Sequence, residues 1–350
     1  MASSRDIVAQ AFERKQPERI PAGICLGGSW PIFVEGRSLK ELLTDAKETA
    51  EIFFRVNDRV DADFVTVGTG ATAFLIEALG GEIRFSSNGA PEILSCLVEK
   101  EEDIDKLDIA KALVAPKLVW LREVAAGVIR LNKGNRSIFV SGRAPFTLAG
   151  QLYGLENLSK ALYKNRKLVE KLLEFTTKLS VEYYKYMLEL EGIDGIFIAD
   201  PSASGDVVSR RHFEAFVLPY LTRVLEQLMP YRKLSMLHIC GNITDRLHLL
   251  PLSGIQFVSL DSKVDLSKAK EILQGKIGIA GNVNPVAVLE DKTPEEVYQE
   301  TIRCLREAAY DGGFLLLPGC DISAKVPEDN VVSMVKAAHQ WDVVTDYHLN

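Results

Sequence analysis

The sequence predicts a (β/α)8 TIM barrel, and three observations carry that prediction. Short apolar runs alternate with longer amphipathic stretches along the chain, the pattern of βα units whose strands pair in parallel. Eight such runs stand at 19–26, 62–68, 137–141, 193–200, 233–238, 255–261, 276–281 and 313–317, and eight βα units close a barrel. Glycines and polar residues gather just after each run, where barrels of this kind place their active sites. No GxGxxG opens a helix, which argues against a dinucleotide-binding sheet. No repeat, low-complexity tract or linker interrupts the pattern, so residues 1–350 are expected to form one domain.

Each element has its own local signal. Residues 6–15 put Ile7, Val8, Ala11 and Phe12 on one helical face and predict a lead-in helix. The strand at 19–28 ends in glycines. Residues 38–60 keep helical periodicity, with Ser38 and Thr44 as plausible N-caps. The strand at 62–68 runs into Gly68-Thr69-Gly70. Residues 82–98 predict a small β-excursion turning at 87–90. A long helix is expected at 111–132 and one or two helices at 158–190; between them the strand at 137–141 leads into Gly142-Arg143-Ala144-Pro145. The strand ending at Asp200-Pro201 precedes a helix at 211–229. The strand ending at His238 precedes a helix from Thr244, and the strand ending at Asp261 precedes one at 266–273. Helices at 293–310 and 330–339 flank the last strand.

The composition excludes several function classes. The 350 residues are 25% charged and 47% hydrophobic, an ordinary globular balance. A net charge of −7 without a basic stripe argues against nucleic acid or an anionic membrane as partner. No apolar run approaches the roughly 18 residues that span a bilayer. The start, Met1-Ala2-Ser3-Ser4-Arg5-Asp6, lacks the apolar core of a secretory signal. The cysteines are Cys25, Cys96, Cys240, Cys304 and Cys320, an odd count at wide spacing. That is expected of a reduced, cytoplasmic protein and not of a disulfide framework.

The chemistry concentrates at two strand ends. In His238-Ile239-Cys240-Gly241-Asn242, positions i and i+2 of a strand point the same way, so imidazole and thiolate aim at one point. Far downstream, Leu317-Pro318-Gly319-Cys320-Asp321 ends another apolar run. In one parallel barrel both ends share a face, and His238, Cys240 and Cys320 can meet. Three protein ligands with one open position is the pattern of a catalytic zinc site, and soft ligands select zinc over magnesium. Two thiolates make that zinc a poor activator of water. They suit instead the capture of a thiol, whose free pKa is about 8.5 and which a metal deprotonates on coordination.

These residues carry a family resemblance. The His238-Ile239-Cys240-Gly241-Asn242 stretch, the turn Gly281-Asn282-Val283-Asn284-Pro285, Leu317-Pro318-Gly319-Cys320-Asp321, Asp200-Pro201-Ser202-Ala203-Ser204-Gly205-Asp206 and residues 213–220 resemble the zinc-dependent methylcobalamin:coenzyme M methyltransferases. Those belong to the uroporphyrinogen decarboxylase superfamily. The resemblance implies a uroporphyrinogen decarboxylase-like barrel. It implies zinc on His238, Cys240 and Cys320, and a methylcobalamin donor, a corrinoid held by a separate protein. A carboxylate can fill the open zinc position in such enzymes. The matching residue is Asp261, shorter than the glutamate of the pattern. The implied activity moves a methyl group between the corrinoid and a thiol such as coenzyme M. Homocysteine as acceptor, demethylation of a small methylated substrate, decarboxylation, and a non-catalytic zinc- or corrinoid-binding barrel are the alternatives. The decarboxylase lacks its charges: Ile24 to Ser29 and Val67 to Ala71 offer no arginine and no aspartate.

The remaining candidates each have a plainer alternative. Asp200 is either an active-site acid or a turn cap. Arg143 is the best-placed cation for an anionic acceptor, with a surface salt bridge as its rival. Asn242 and Asn282 suit turns as well as substrate contact. Asp206 is expected to cap the next helix, and Asp321 to order its loop or support the ligands. Trp30 and Tyr153 are candidate pocket walls. Glycines 27, 28, 68 and 70 are expected to keep the mouth open. Cys25 is expected as a small buried hydrophobe, and Cys96 and Cys304 as structural.

Overall fold

In the computed structural model, residues 2–24, 28–86 and 89–342 are described. Nine strands occur among them: β1 (Phe64–Val67), β2 (Ile83–Arg84), β3 (Glu92–Ile93), β4 (Ser137–Arg143), β5 (Gly195–Ala199), β6 (Leu234–Ile239), β7 (Phe257–Leu260), β8 (Gly278–Ala280) and β9 (Phe314–Leu315). Seven form one parallel sheet in the order β1-β4-β5-β6-β7-β8-β9, and helical segments separate them along the chain. The expected βα barrel is the observed fold class. β2 and β3 pair antiparallel, as the expected excursion; its turn at Ser87 and Asn88 lies outside the described residues, as do Cys25 and Gly27.

Among the described residues the predicted first strand is reduced to one bridge, Ala22 to Leu316. It still spans the two edges of the sheet. Leu316 N–H donates to Pro21 O at 2.9 Å and Gly23 N–H to Leu316 O at 3.2 Å on one side. Asp63 N–H donates to Ala22 O at 2.8 Å on the other. The ladder stays short because Pro21 has no N–H to give and Ala22 N–H is taken by the Asp63 carboxylate at 2.9 Å.

The lead-in helix, Ser4–Phe12, plugs the end of the sheet where the strands begin. Its Val8, Ala11 and Phe12 are buried against Phe64, Phe139, Phe197 and Phe257. Phe12 stacks on Phe139 at 5.8 Å and lies tilted against Phe257 at 4.4 Å, centroid to centroid. Burying such a ring is worth about 1.5–3 kcal/mol. With that end filled, the strands' C-terminal end is the open one. A hollow of about 560 Å³ lies at the opposite end beside Leu225, Leu228, Met229 and Leu252, away from the predicted ligands.

Three expected helices divide. Residues 38–60 split into Leu39–Leu42, capped by Ser38, and Ala46–Arg59, capped by Asp45 instead of Thr44. The helix at 111–132 breaks into Ile109–Leu113 and Pro116–Asn132, because Pro116 can open a helix but not continue one. Pro219 similarly separates Arg210–Phe216 from Leu218–Leu228. Among the described residues no helix is long and apolar enough to cross a membrane.

Candidate metal and substrate site

β6 carries His238 into the barrel end, fully buried, and stops one residue before Cys240. Gly241 then turns the chain with a φ of 75°, a conformation that L side chains resist. On the far side of the sheet, β9 is prolonged past its last ladder residue. Val283 bridges Pro318, and Gly319 N–H donates to Val283 O at 2.7 Å. That extension delivers Cys320 to Cys240. The two sulfurs are 3.8 Å apart, and Cys240 Sγ is 3.4 Å from His238 Nε2.

These atoms, all within 4.8 Å of one another, are the group of three or more possible ligands found among the described residues. A disulfide would need sulfurs about 2 Å apart, so the thiols are separate. Two sulfurs bound at 2.3 Å to one tetrahedral ion would stand about 3.8 Å apart, and that is the separation here. The donor set therefore fits zinc. The Cys320 thiol is already held well below the ordinary thiol range, by the hydrogen bond with Cys240 first and by His238, against the opposing effect of burial.

Ser259 was not among the expected residues. It lies opposite His238 in the β6–β7 register, with Oγ 3.1 Å from Nδ1. A hydrogen bond on Nδ1 leaves Nε2 as the ligand nitrogen, turned to the sulfurs. Nothing in the residues around Ser259 marks it; only pairing to the His238 strand would.

Asp261 is engaged by main chain. Its Oδ2 accepts Gly241 N–H at 2.8 Å and its Oδ1 accepts Lys263 N–H at 2.9 Å. It lies outside the three-residue cluster and holds the turn that follows Cys240. Asn282 is buried, and its amide donates to Asp261 O and Val264 O at 3.0 and 2.8 Å. Asn242 accepts Thr244 N–H at 3.0 Å and is exposed. Neither asparagine lines the cavity described next. Asp206 does not cap the following helix: Ser209 does, and Asp206 pairs with Lys263 at 3.3 Å. Trp30 is core, with Nε1 donating to Val326 O.

Arg143 ends β4 and opens into a cavity of about 310 Å³ that Gly28, Gly68, Gly70, Thr147 and Asp321 also line. The rival surface salt bridge is not made: among the described residues Arg143 has no ion-pair partner. The glycines are there for clearance. A Cβ on Gly68 would come 2.6 Å from Ser141 Cβ, and one on Gly28 would come 2.1 Å from Asp321 Oδ1. Asp200 is fully buried behind this wall. Its Oδ1 accepts Thr147 N–H and Oγ1–H at 2.9 and 2.6 Å, and its Oδ2 has no partner. Burial pushes its pKa up to about 6 against the Thr147 bonds and the Arg143 charge. Asp321 is pushed up to about 7, by its protein surroundings first and by Cys320 next.

Fold and site together define a parallel α/β barrel with one histidine and two cysteines gathered at its open end, a set that could hold a metal ion. The profile of the family "Uroporphyrinogen decarboxylase (URO-D)" matches residues 3–341, and the chain belongs to that family. Within it the chain is similar to the methylcobamide:CoM methyltransferase MtbA of Methanosarcina acetivorans, 29% identical over 343 residues, covering 94% of this chain and 95% of the relative. The uroporphyrinogen decarboxylase of Geotalea uraniireducens is 28% identical over 222 residues, covering 61% of this chain and 63% of that one. The solved structure of a methyltransferase from Methanosarcina mazei superposes with a TM-score of 0.85 at 23% identity, covering 97% of this chain and 98% of the other. The Methanosarcina acetivorans relative, matched over nearly its whole length, is a methyltransferase, and the chain is an enzyme of that class.

Proposed function

We propose that this methyltransferase moves a methyl group between a corrinoid carried by a partner protein and a small thiol. The triangle of His238, Cys240 and Cys320 carries the reading, because two thiolates and one imidazole suit a zinc ion that receives sulfur. Zinc, when bound, supplies a positive charge that lowers the pKa of an incoming thiol. The chain's own residues prepare the rest. Ser259 fixes which imidazole nitrogen faces the cluster. Asp261 holds the Gly241 turn, so Cys240 stays beside Cys320. Arg143 offers a free guanidinium for an anionic group on the thiol. Asp200 would act through Thr147, whose N–H and hydroxyl it holds at the cavity wall.

In the transfer the sulfur–carbon bond forms as the carbon–cobalt bond breaks. The electron pair of the broken bond stays on the corrinoid, and the thiol proton leaves to solvent or base. The corrinoid protein must cover the strands' C-terminal end, since the other end is filled by Phe12 and its neighbours.

Elemental analysis tests this, with methylcobalamin demethylation assayed beside it on a panel of thiols. Near one zinc per chain, lost in Cys320→Ser together with thiol-dependent demethylation, is the expected result. A metal-free wild-type protein, purified without chelator, would overturn it.

A further inference from the structure

Arg143 and Asp321 line the same cavity of about 310 Å³, and Asp321 directly follows the ligand Cys320. Neither has an ion-pair partner among the described residues, and they are not paired with each other: their charged atoms stand more than 4.0 Å apart. Among the described residues Asp321 accepts only its neighbour's N–H, Ile322, at 3.2 Å. Gly28 packs so closely on its carboxylate that a Cβ there would collide with it. A second acid stands behind the Thr147 wall, the buried Asp200 with its unpartnered Oδ2, and Thr147 and Pro201 both face the cavity.

An arginine and a carboxylate that line one cavity pair when they come within reach of each other. Here they are held apart. The pocket thus presents a cation and a carboxylate at separate points. A thiol bearing only a sulfonate or carboxylate would satisfy Arg143 and set its anion near Asp321, uncompensated. A zwitterion satisfies both.

Resting on the thiol-acceptor reading above, we propose that the cavity takes an α-amino-acid thiol, its carboxylate on Arg143 and its ammonium on Asp321. The acceptor class is then that of homocysteine or cysteine and not that of a simple thiol sulfonate.

Calorimetric titration of the zinc-loaded full chain tests this. The probes are L-homocysteine, its desamino analogue, its decarboxy analogue and mercaptoethanesulfonate. Removing one charged contact is expected to weaken binding at least about tenfold for each truncated probe. Arg143→Met should bring homocysteine down to the affinity of the decarboxy analogue and leave that analogue unchanged. Asp321→Asn should do the converse with the desamino analogue, zinc content being measured in each variant. The wild-type panel decides by itself if either variant fails to load zinc. Desamino analogue or sulfonate bound as tightly as homocysteine overturns the proposal and leaves methyl transfer standing. No thiol bound by zinc-loaded chain overturns both.

Discussion

Ser259 Oγ lies 3.1 Å from His238 Nδ1, directly across the β6–β7 ladder. Both residues are fully buried. The serine hydroxyl can accept the Nδ1 proton and keep Nε2 free for the cluster. Outer partners of this type are typically worth 10- to 100-fold in metal affinity. Ser259→Ala is therefore expected to weaken zinc binding about tenfold or more while the fold persists. Competition with a chromophoric chelator measures it, and an unchanged affinity would show that packing alone orients the imidazole.

The turn after Cys240 is equally constrained. Gly241 has φ 75°, and a methyl group there would come 2.5 Å from Ser204 Oγ and 2.7 Å from Asp206 Oδ2. Gly241→Ala is expected to shift Cys240 and cost about 1–3 kcal/mol in stability. Asp261→Ala, which frees Gly241 N–H, should cost about 1–2 kcal/mol. Urea unfolding gives both values. Zinc titration should show weakened metal binding in both variants, and normal binding in both would detach the turn from the site.

Part of this was legible in the chain. His238 and Cys240 declare themselves because a strand sends i and i+2 the same way, and Cys320 because another apolar run ends beside it. Ser259 does not, since a serine inside a buried run has no local mark and acquires its role only from register. Asn282 misleads for the opposite reason. Its turn is where a substrate contact would be sought, yet its amide is consumed by Asp261 O and Val264 O. The helix break at Pro116 was written in the sequence and overridden by periodicity. Thr44 and Asp45 are adjacent residues of the capping type, and backbone geometry chose the second.

Asp63 ties the barrel closure together. It accepts Ala22 N–H, pairs with Arg19 at 2.5 Å and meets His339 Nε2 at 2.8 Å, joining the N-terminal segment to the helix Glu328–Gln340. Burial alone would raise its pKa, but the bonds from His339 and Arg19 outweigh it and hold the group below its usual 3.8. A depressed folded-state value stabilises above the unfolded pKa and is lost as pH falls through the folded one. Arg19→Met should cost about 3 kcal/mol at neutral pH and move acid unfolding to higher pH. Thermal melts from about pH 2 to pH 7 follow both. An unshifted acid limb would assign acid unfolding to other carboxylates.

Asp200 is the converse case. Burial raises its folded pKa to about 6, above 3.8. The folded chain therefore keeps a proton that the unfolded chain has released between those values. Stability falls as pH rises through that window and stays lower beyond it. Two units correspond to about 3 kcal/mol at most. Asn at this position keeps an oxygen for the two Thr147 donors and removes the buried charge, although its NH2 inherits the unpartnered place of Oδ2. Asp200→Asn is expected to be more stable by about 1–2 kcal/mol at pH 8 and to lose the stability slope between 3.8 and 6. Buried carboxylates with raised pKa values cluster at functional sites. Thiol-dependent methyl transfer by the stabilised variant should accordingly slow at least about tenfold. A variant both more stable and fully active would reduce Asp200 to a clamp on Thr147.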